Sequence, residues 1–285
     1  MKIAVTSASG QLGSAIVKQL IKEIGKENII GIARTTSKAT HLGVEIREGD
    51  YNNREQFNTA LKGVDAVLLV SGMDKPENRI QQHRNVIEAA KQNGVQKIVY
   101  TSIVGHEENS AFSPIVQSNR QTEKDVIASG LQWAIGRNGI YIEPDIEYID
   151  NYIKEDGIRN SAGDGKCGYT SRPELAYAYS QMLIEEKHNG KVYNLTGKAI
   201  TQTELAEIIN QVYNTKLTYT SLTVAAYEEA RKKALGDFLG TVIAGIYEGI
   251  KIGAYDLVSD YEKAAGRPHK STLKIVEEIK KNEEK

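Results

Sequence analysis

A strand, a turn of small residues and a helix open the chain, and that order constrains the fold more than any other feature. Lys2-Ile-Ala-Val-Thr6 reads as a buried strand, Ser7-Ala-Ser-Gly10-Gln-Leu-Gly13 as a glycine turn, and Ser14 through Ile24 as an amphipathic helix. Small residues there let the backbone approach a pyrophosphate lying on the positive end of the following helix. Ser7, Ala8, Ser9, Gly10, Gln11 and Leu12 are therefore the candidate pyrophosphate cradle. The spacing is that of G-x-x-G-x-x-G, with Ser7 in place of the first glycine. Either a small residue is simply tolerated at Ser7, or its extra atoms narrow the approach and weaken binding. Gly10 is expected to be the position free to take unusual backbone angles.

Any tight strand-to-helix turn can carry two glycines, so the turn alone is weak evidence. Its context adds weight. A second strand, Asn28 to Ala33, ends at Arg34, close to where an NAD site would place a carboxylate on the ribose hydroxyls. An arginine there, with Lys38 nearby, favours a 2′-phosphate, and the expected cofactor is NADPH.

Composition narrows the remaining choices. At 285 residues the chain can bury one large core or two modest ones, and a net charge of -1 gives no electrostatic case for nucleic acid or membrane partners. Cys167 is the only cysteine, which excludes an intramolecular disulfide and fits a reducing compartment. His41, His83, His106, His188 and His269 lack ligand spacing, so no metal site is expected. No signal peptide or membrane span is legible, and the reading is a soluble cytoplasmic protein.

Strand and helix patterns alternate through the first half, the signature of an α/β doubly wound parallel sheet. Val44 to Glu48, Ala66 to Val70, Lys97 to Thr101 and Gln132 to Gly136 read as strands; Arg54 to Leu61, Arg79 to Gln92 and Gln121 to Ala128 read as helices. A dinucleotide-binding domain is expected over 1–140, also receiving the strand near 191–196, with a smaller α-rich substrate lobe over 141–285. In that lobe Ser161 to Gly168 reads as a polar loop with Cys167 an ordinary loop thiol, and Pro144 is expected to stiffen a loop after Tyr141.

Reduction of a simple ketone creates an alkoxide that a neutral-pH site must protonate or stabilise heavily. Short-chain dehydrogenases use a Tyr-x-x-x-Lys pair for this, and where it should stand the chain has Arg120-Gln-Thr-Glu123-Lys124. The lysine is there and the tyrosine is not. Tyr247 and Lys251 have the spacing but lie far beyond the sheet region. Such a chain suits a flat, electron-poor acceptor that takes a hydride without a strong acid, with catalysis resting on proximity and orientation. Gly163-Asp-Gly-Lys166 lacks the other elements of a phosphate loop and is set aside.

Ala8-Ser-Gly-Gln-Leu-Gly13, Gln82-His-Arg-Asn-Val-Ile87, Tyr100-Thr-Ser102, Thr122-Glu-Lys124, Arg137-Asn-Gly139 with Tyr141, Ala162-Gly-Asp-Gly-Lys166 and Gly266-Arg-Pro268 occur in one order along the chain. As an ordered set they resemble the NmrA-like, atypical short-chain dehydrogenases, and within them the bacterial group of type 2 NAD(P)H-dependent quinone oxidoreductases and triphenylmethane reductases. The resemblance implies a two-domain monomer or homodimer. It also implies NADPH bound across the glycine turn, Arg34, Ser71, Gly72, and the segment Asn138, Gly139, Tyr141, Ile142, Glu143. Lys124 and Tyr141 are the catalytic candidates it supplies, acting on a small conjugated acceptor such as a quinone. Asn119 departs from the pattern, standing where close relatives often carry a histidine. The alternative is an NADP(H)-binding redox sensor of the same family that passes its signal on without turnover.

Overall fold

A computed structural model describes residues 1–284. Seven parallel strands form the main sheet: β1 (Ile3–Val5), β2 (Ile29–Ala33), β3 (Glu45–Glu48), β4 (Ala66–Leu69), β5 (Lys97–Ile103), β6 (Gln132–Asn138) and, after three short strands outside this sheet, β10 (Lys191–Leu195). Their spatial order is β10-β6-β5-β4-β1-β2-β3, so the order reverses between β1 and β4. Ligands of doubly wound sheets bind at the carboxyl ends of the strands beside such a reversal. The site is therefore sought above β1 and β4.

Strands β1, β2 and β4 are buried along their whole length, which is why they read as unbroken apolar runs. Helix α1 (Gln11–Ile24) covers one face through Leu12, Ile16, Val17 and Leu20. On the opposite face lie α2 (Arg54–Ala60), α3 (Pro76–Gln92) and α4 (Ser113–Ile127), whose Phe57, Val86, Ala90 and Val126 pack on Ile30, Val67, Ile98 and Tyr100. Asn53 starts α2 by accepting the Gln56 amide at 3.2 Å.

Helix α4 begins eight residues before the expected Gln121. Its first two turns read poorly as an amphipathic helix because their inward positions are polar, Ser118 and Asn119 both being buried. Of the two, Asn119 joins a buried polar network at the carboxyl edge of the sheet.

Past residue 140 the chain continues through β7 (Ile140–Tyr141), α5 (Glu143–Glu147), α6 (Ile149–Lys154), β8 (Ile158–Asn160), β9 (Cys167–Thr170) and α7 (Arg172–Ile184). After β10 come β11 (Ala199–Ile200), α8 (Gln202–Tyr213), β12 (Tyr219–Ser221), α9 (Val224–Leu235), α10 (Asp237–Lys251), α11 (Tyr261–Ala265) and α12 (Thr272–Glu283). A parallel sheet needs cover on both faces, and α7 with α11 completes the α1 side through Leu175, Tyr179, Met182 and Ala264. The first layer thus draws on residues well past 140. What remains builds a second core around Ile142, Ile146, Tyr169, Leu205, Ile250 and Val276, with β11-β9-β7 and β12-β8 as small sheets among its helices.

Two local expectations for this half are corrected. Cys167 opens β9 and is fully buried, so it is an interior residue whose thiol burial pushes well up. Pro144 sits in the first turn of α5, where its missing N–H costs nothing, and stiffens no loop.

Candidate functional site

The glycine turn joins β1 to α1 at the carboxyl edge of the sheet, beside the strand-order reversal. Ser7 takes φ +51°, the left-handed region that glycine would enter without strain, and its carbonyl accepts the Gly10 amide at 2.9 Å. Its hydroxyl donates to the Tyr51 hydroxyl at 3.1 Å. Tyr51 also accepts from Thr6 at 2.6 Å and donates to the Val70 carbonyl at 2.5 Å, tying the turn to the end of β4. Burial pushes the Tyr51 hydroxyl up to about 12, so it stays protonated in these bonds.

Gly10 has an ordinary φ of -81°, contrary to the expectation that it supplies the unusual angles. The steric demand falls on Gly13, where a Cβ would lie 2.3 Å from the Ser7 carbonyl oxygen. Helix α1 could not pack so close to the turn with any side chain at that position. Ala8 is turned inward, buried against Gly31 with its amide bonded to Ile32 at 2.9 Å, so its N–H does not face a ligand. By contrast the amides of Ser9, Gln11, Leu12 and Gly13 have no acceptor among the described residues, Gly10 provides no side-chain cap, and the first turn holds no acid. An uncapped helix start with open amides fits an anion such as a pyrophosphate.

From this point the two directions along the sheet differ in chemistry. Towards β2, Arg34 and Lys38 are exposed and make no ion pair among the described residues. They offer two free cations to a ribose 2′-phosphate. Towards β4, β5 and β6 lies a buried polar network.

Asn119, nearly two turns into α4, is its centre. The Asn119 carbonyl oxygen accepts from the Tyr100 hydroxyl at 2.6 Å, the Ser71 hydroxyl at 2.9 Å and Arg79 Nη2 at 3.2 Å, while its amide donates to the Ile115 carbonyl at 2.8 Å. Arg79 Nη2 also donates to Ser71 Oγ at 2.7 Å. The Ser71 amide donates to Thr101 at 2.9 Å and the Gly72 amide to His83 Nε2 at 3.0 Å, which fixes the segment after β4. With Nε2 accepting, His83 carries its proton on Nδ1 and donates to Thr122 at 2.9 Å. Burial, with Arg79 close by, pushes His83 down to about 3 and keeps it neutral.

At the end of β6, Asn138 donates to the Tyr141 hydroxyl at 3.0 Å and accepts from Tyr179 at 2.6 Å. The Tyr141 hydroxyl is thus supplied with a donor and keeps its own proton available, and burial pushes it up to about 12. Gly139 is fixed by a close crossing: a Cβ there would stand 2.6 Å from the Gly168 carbonyl oxygen. Ile142 is buried, its amide bonded to Thr170 at 2.9 Å. Glu143 is buried too and accepts the Arg172 amide at 2.7 Å at the start of α7, while its second carboxylate oxygen has no partner. Burial raises that carboxyl.

Lys124 does not join this group. It is exposed on α4, while its neighbours Thr122 and Glu123 face inward; Glu123 is held by Arg120 at 2.8 Å, Arg137 at 2.6 Å and Ser102 at 2.6 Å. Helix α4 runs back from the carboxyl edge of the sheet, so Lys124 lies five residues, about 8 Å, further from that edge than Asn119. The inward position at the edge belongs to Asn119. Tyr51, Arg79, His83 and Tyr100 join the same network; His83 and Tyr100 fall within the motifs that carry the family resemblance, whereas Arg79 and Tyr51 belong to none, and the one signal for Arg79 was its place on an unusually polar helix, α3. No group of residues suited to holding a metal occurs among the described residues.

The profile of a family described as NAD(P)H-binding matches residues 7–186. Quinone oxidoreductase 2 of Escherichia coli is 34% identical over 272 residues, covering 93% of this chain and 94% of that protein. An NmrA-like family oxidoreductase of Aspergillus flavus is 31% identical over 74% of this chain and 71% of its own length. Among solved structures, the E. coli NADPH-dependent quinone oxidoreductase in complex with NADPH superposes with a TM-score of 0.89 at 32% identity, over 97% of this chain and 99% of that one. The Citrobacter triphenylmethane reductase with NADP(H) gives 0.89 at 31% identity, over 98% and 99%.

Proposed function

The chain belongs to the NAD(P)H-binding NmrA-like family, and from that premise we propose an NADPH-dependent oxidoreductase that passes a hydride to a quinone or similar conjugated acceptor. The observation that carries the proposal is the open start of α1 between two chemically distinct flanks. A dinucleotide laid across it would have its pyrophosphate on the free amides of Ser9, Gln11 and Leu12 and its 2′-phosphate by Arg34 and Lys38. Its other half would cross Ser71, Gly72 and the segment from Asn138 to Glu143. When bound, NADPH supplies the hydride.

The protein's own residues orient and exclude rather than donate protons. The carbonyl oxygen of Asn119, the Thr101 hydroxyl and His83 fix Ser71 and Gly72, so the floor beside β4 is rigid before any ligand arrives. Tyr141 offers a neutral hydroxyl proton to an oxygen of the acceptor, and with a pKa near 12 it acts as a hydrogen-bond donor across the neutral range. A conjugated acceptor spreads the incoming charge, which one such donor can accommodate. The alkoxide of an aliphatic ketone would need more.

Steady-state NADPH oxidation with a panel of quinones and aliphatic ketones tests the reading. Turnover is expected with quinones alone. Tight NADPH binding without turnover on any acceptor would instead favour a redox sensor, and robust ketone reduction would reject the acid-free site. Fluorescence titration should give NADPH a lower Kd than NADH, with Arg34→Ala narrowing the gap.

A further inference from the structure

Arg79 is a buried cation with no counter-charge. It is 4% exposed, no carboxylate of the described residues lies within ion-pair distance, and its Nε has no hydrogen-bond partner. A guanidinium stays charged at any ordinary pH, and holding one away from water without a carboxylate is costly. The charges around it offer no relief. His83 is neutral, and Glu123, beyond Tyr100, is already shared by Arg120 and Arg137.

The neutral residue at position 119 sharpens the point. Three donors converge on the Asn119 carbonyl oxygen, where a carboxylate of the same shape would pair with Arg79 at 3.2 Å, although its second oxygen would lose the bond that the amide now donates to the Ile115 carbonyl. The chain holds an amide there and leaves the charge uncompensated. Arg79 meets the site through Ser71, the half-buried member of the network, at the carboxyl end of β4.

The nicotinamide ring is neutral in NADPH and carries a positive charge in NADP+. We propose that Arg79 is a positioning residue whose uncompensated charge beside Ser71 makes the site prefer the reduced cofactor, disfavouring NADP+ and so promoting exit of the spent cofactor, at the cost of making the bound NADPH a weaker hydride donor. This rests on the cofactor reading above and adds a discrimination between the two oxidation states. An unscreened unit charge across a protein interior of moderate polarity shifts such a balance by about tenfold.

The test is calorimetric titration of the full-length protein with NADPH and with NADP+, reported as the ratio of the two Kd values. In the parent protein NADP+ is expected to bind about tenfold more weakly. Arg79→Met should bring the ratio to within about twofold of unity and Arg79→Lys should keep most of it. Asn119→Asp supplies the missing carboxylate without removing Arg79, and it too should collapse the ratio; it decides the matter if Arg79→Met fails to fold. A parent ratio near unity, or variants that weaken both forms equally, would overturn the inference while leaving the cofactor reading intact. Failure of the parent to bind either form would instead overturn the cofactor reading, and this inference with it.

Discussion

Gly13 shows how one absent atom can set a binding surface. With a Cβ at that position 2.3 Å from the Ser7 carbonyl oxygen, Gly13→Ala must push α1 away from the turn. The expected cost is about 3 kcal/mol, read as a fall in the urea midpoint at unchanged slope. Gly10→Ala meets only a 3.2 Å contact at an ordinary backbone angle, so stability should hold within about 1 kcal/mol while NADPH affinity falls about tenfold. If Gly10→Ala binds NADPH as the parent does, the turn is not the pyrophosphate cradle. Ser7 lies between these cases: left-handed backbone costs it roughly 1 kcal/mol, and the bond to Tyr51 returns a similar amount. Ser7→Gly is therefore expected to leave both stability and binding close to the parent's.

Helix α4 carries the sharpest contrast between what the sequence let us read and what the fold does with it. Periodicity found its second half, because Thr122, Glu123 and Val126 alternate plainly with exposed residues, and missed its first half, where the inward face is polar. The resemblance marked Asn119 only as a departure from the family pattern and gave no hint of its buried network, while Lys124, a charged residue at a familiar offset, stands on the exposed side of the helix. Strands fared better: apolar runs buried on both faces, as in β1, β2 and β4, can hardly be read otherwise. Arg34 was legible because it follows β2 directly; Arg79 and Tyr51 were not, since only long-range bonds to Ser71, Thr6 and Val70 bring them to the site. Two outcomes follow at this scale. Lys124→Ala should leave the rate of quinone-dependent NADPH oxidation within about twofold, as expected of a solvated side chain. Tyr141→Phe should lower kcat about tenfold, the worth of one hydrogen bond to a developing charge, with NADPH affinity preserved. Because burial holds that hydroxyl near 12, the pH profile between 6 and 9 should keep its shape; a lost basic or acidic limb would make Tyr141 a true general acid.

Across the whole molecule two buried groups, one in each core, set opposite slopes in stability against pH. His83, under the main sheet, is pushed down to about 3 by burial and by Arg79, from an ordinary 6.5. The unfolded chain therefore binds the extra proton below 6.5 and the native protein does not, so His83 lowers stability as pH falls through 6.5 towards 3. Asp145, in the second core, is pushed up to about 6 by burial even though Tyr152 donates to it at 2.7 Å. Here the native protein holds the proton that the unfolded chain releases above 3.8, so Asp145 lowers stability as pH rises from 3.8 to 6. Between 4 and 6 each group contributes about 1.4 kcal/mol per pH unit with opposite sign, and the two cancel. Removing either should expose the other. Asp145→Asn should gain on the parent by up to about 3 kcal/mol at pH 7.5 and lose that gain steadily down to pH 4. His83→Gln, which can still accept from Gly72 and donate to Thr122, should gain on the parent as pH falls over the same range. Urea midpoints of the three proteins at half-unit steps from pH 4 to 7.5 decide it: variant-minus-parent differences that do not change with pH would mean that neither group titrates where its burial requires.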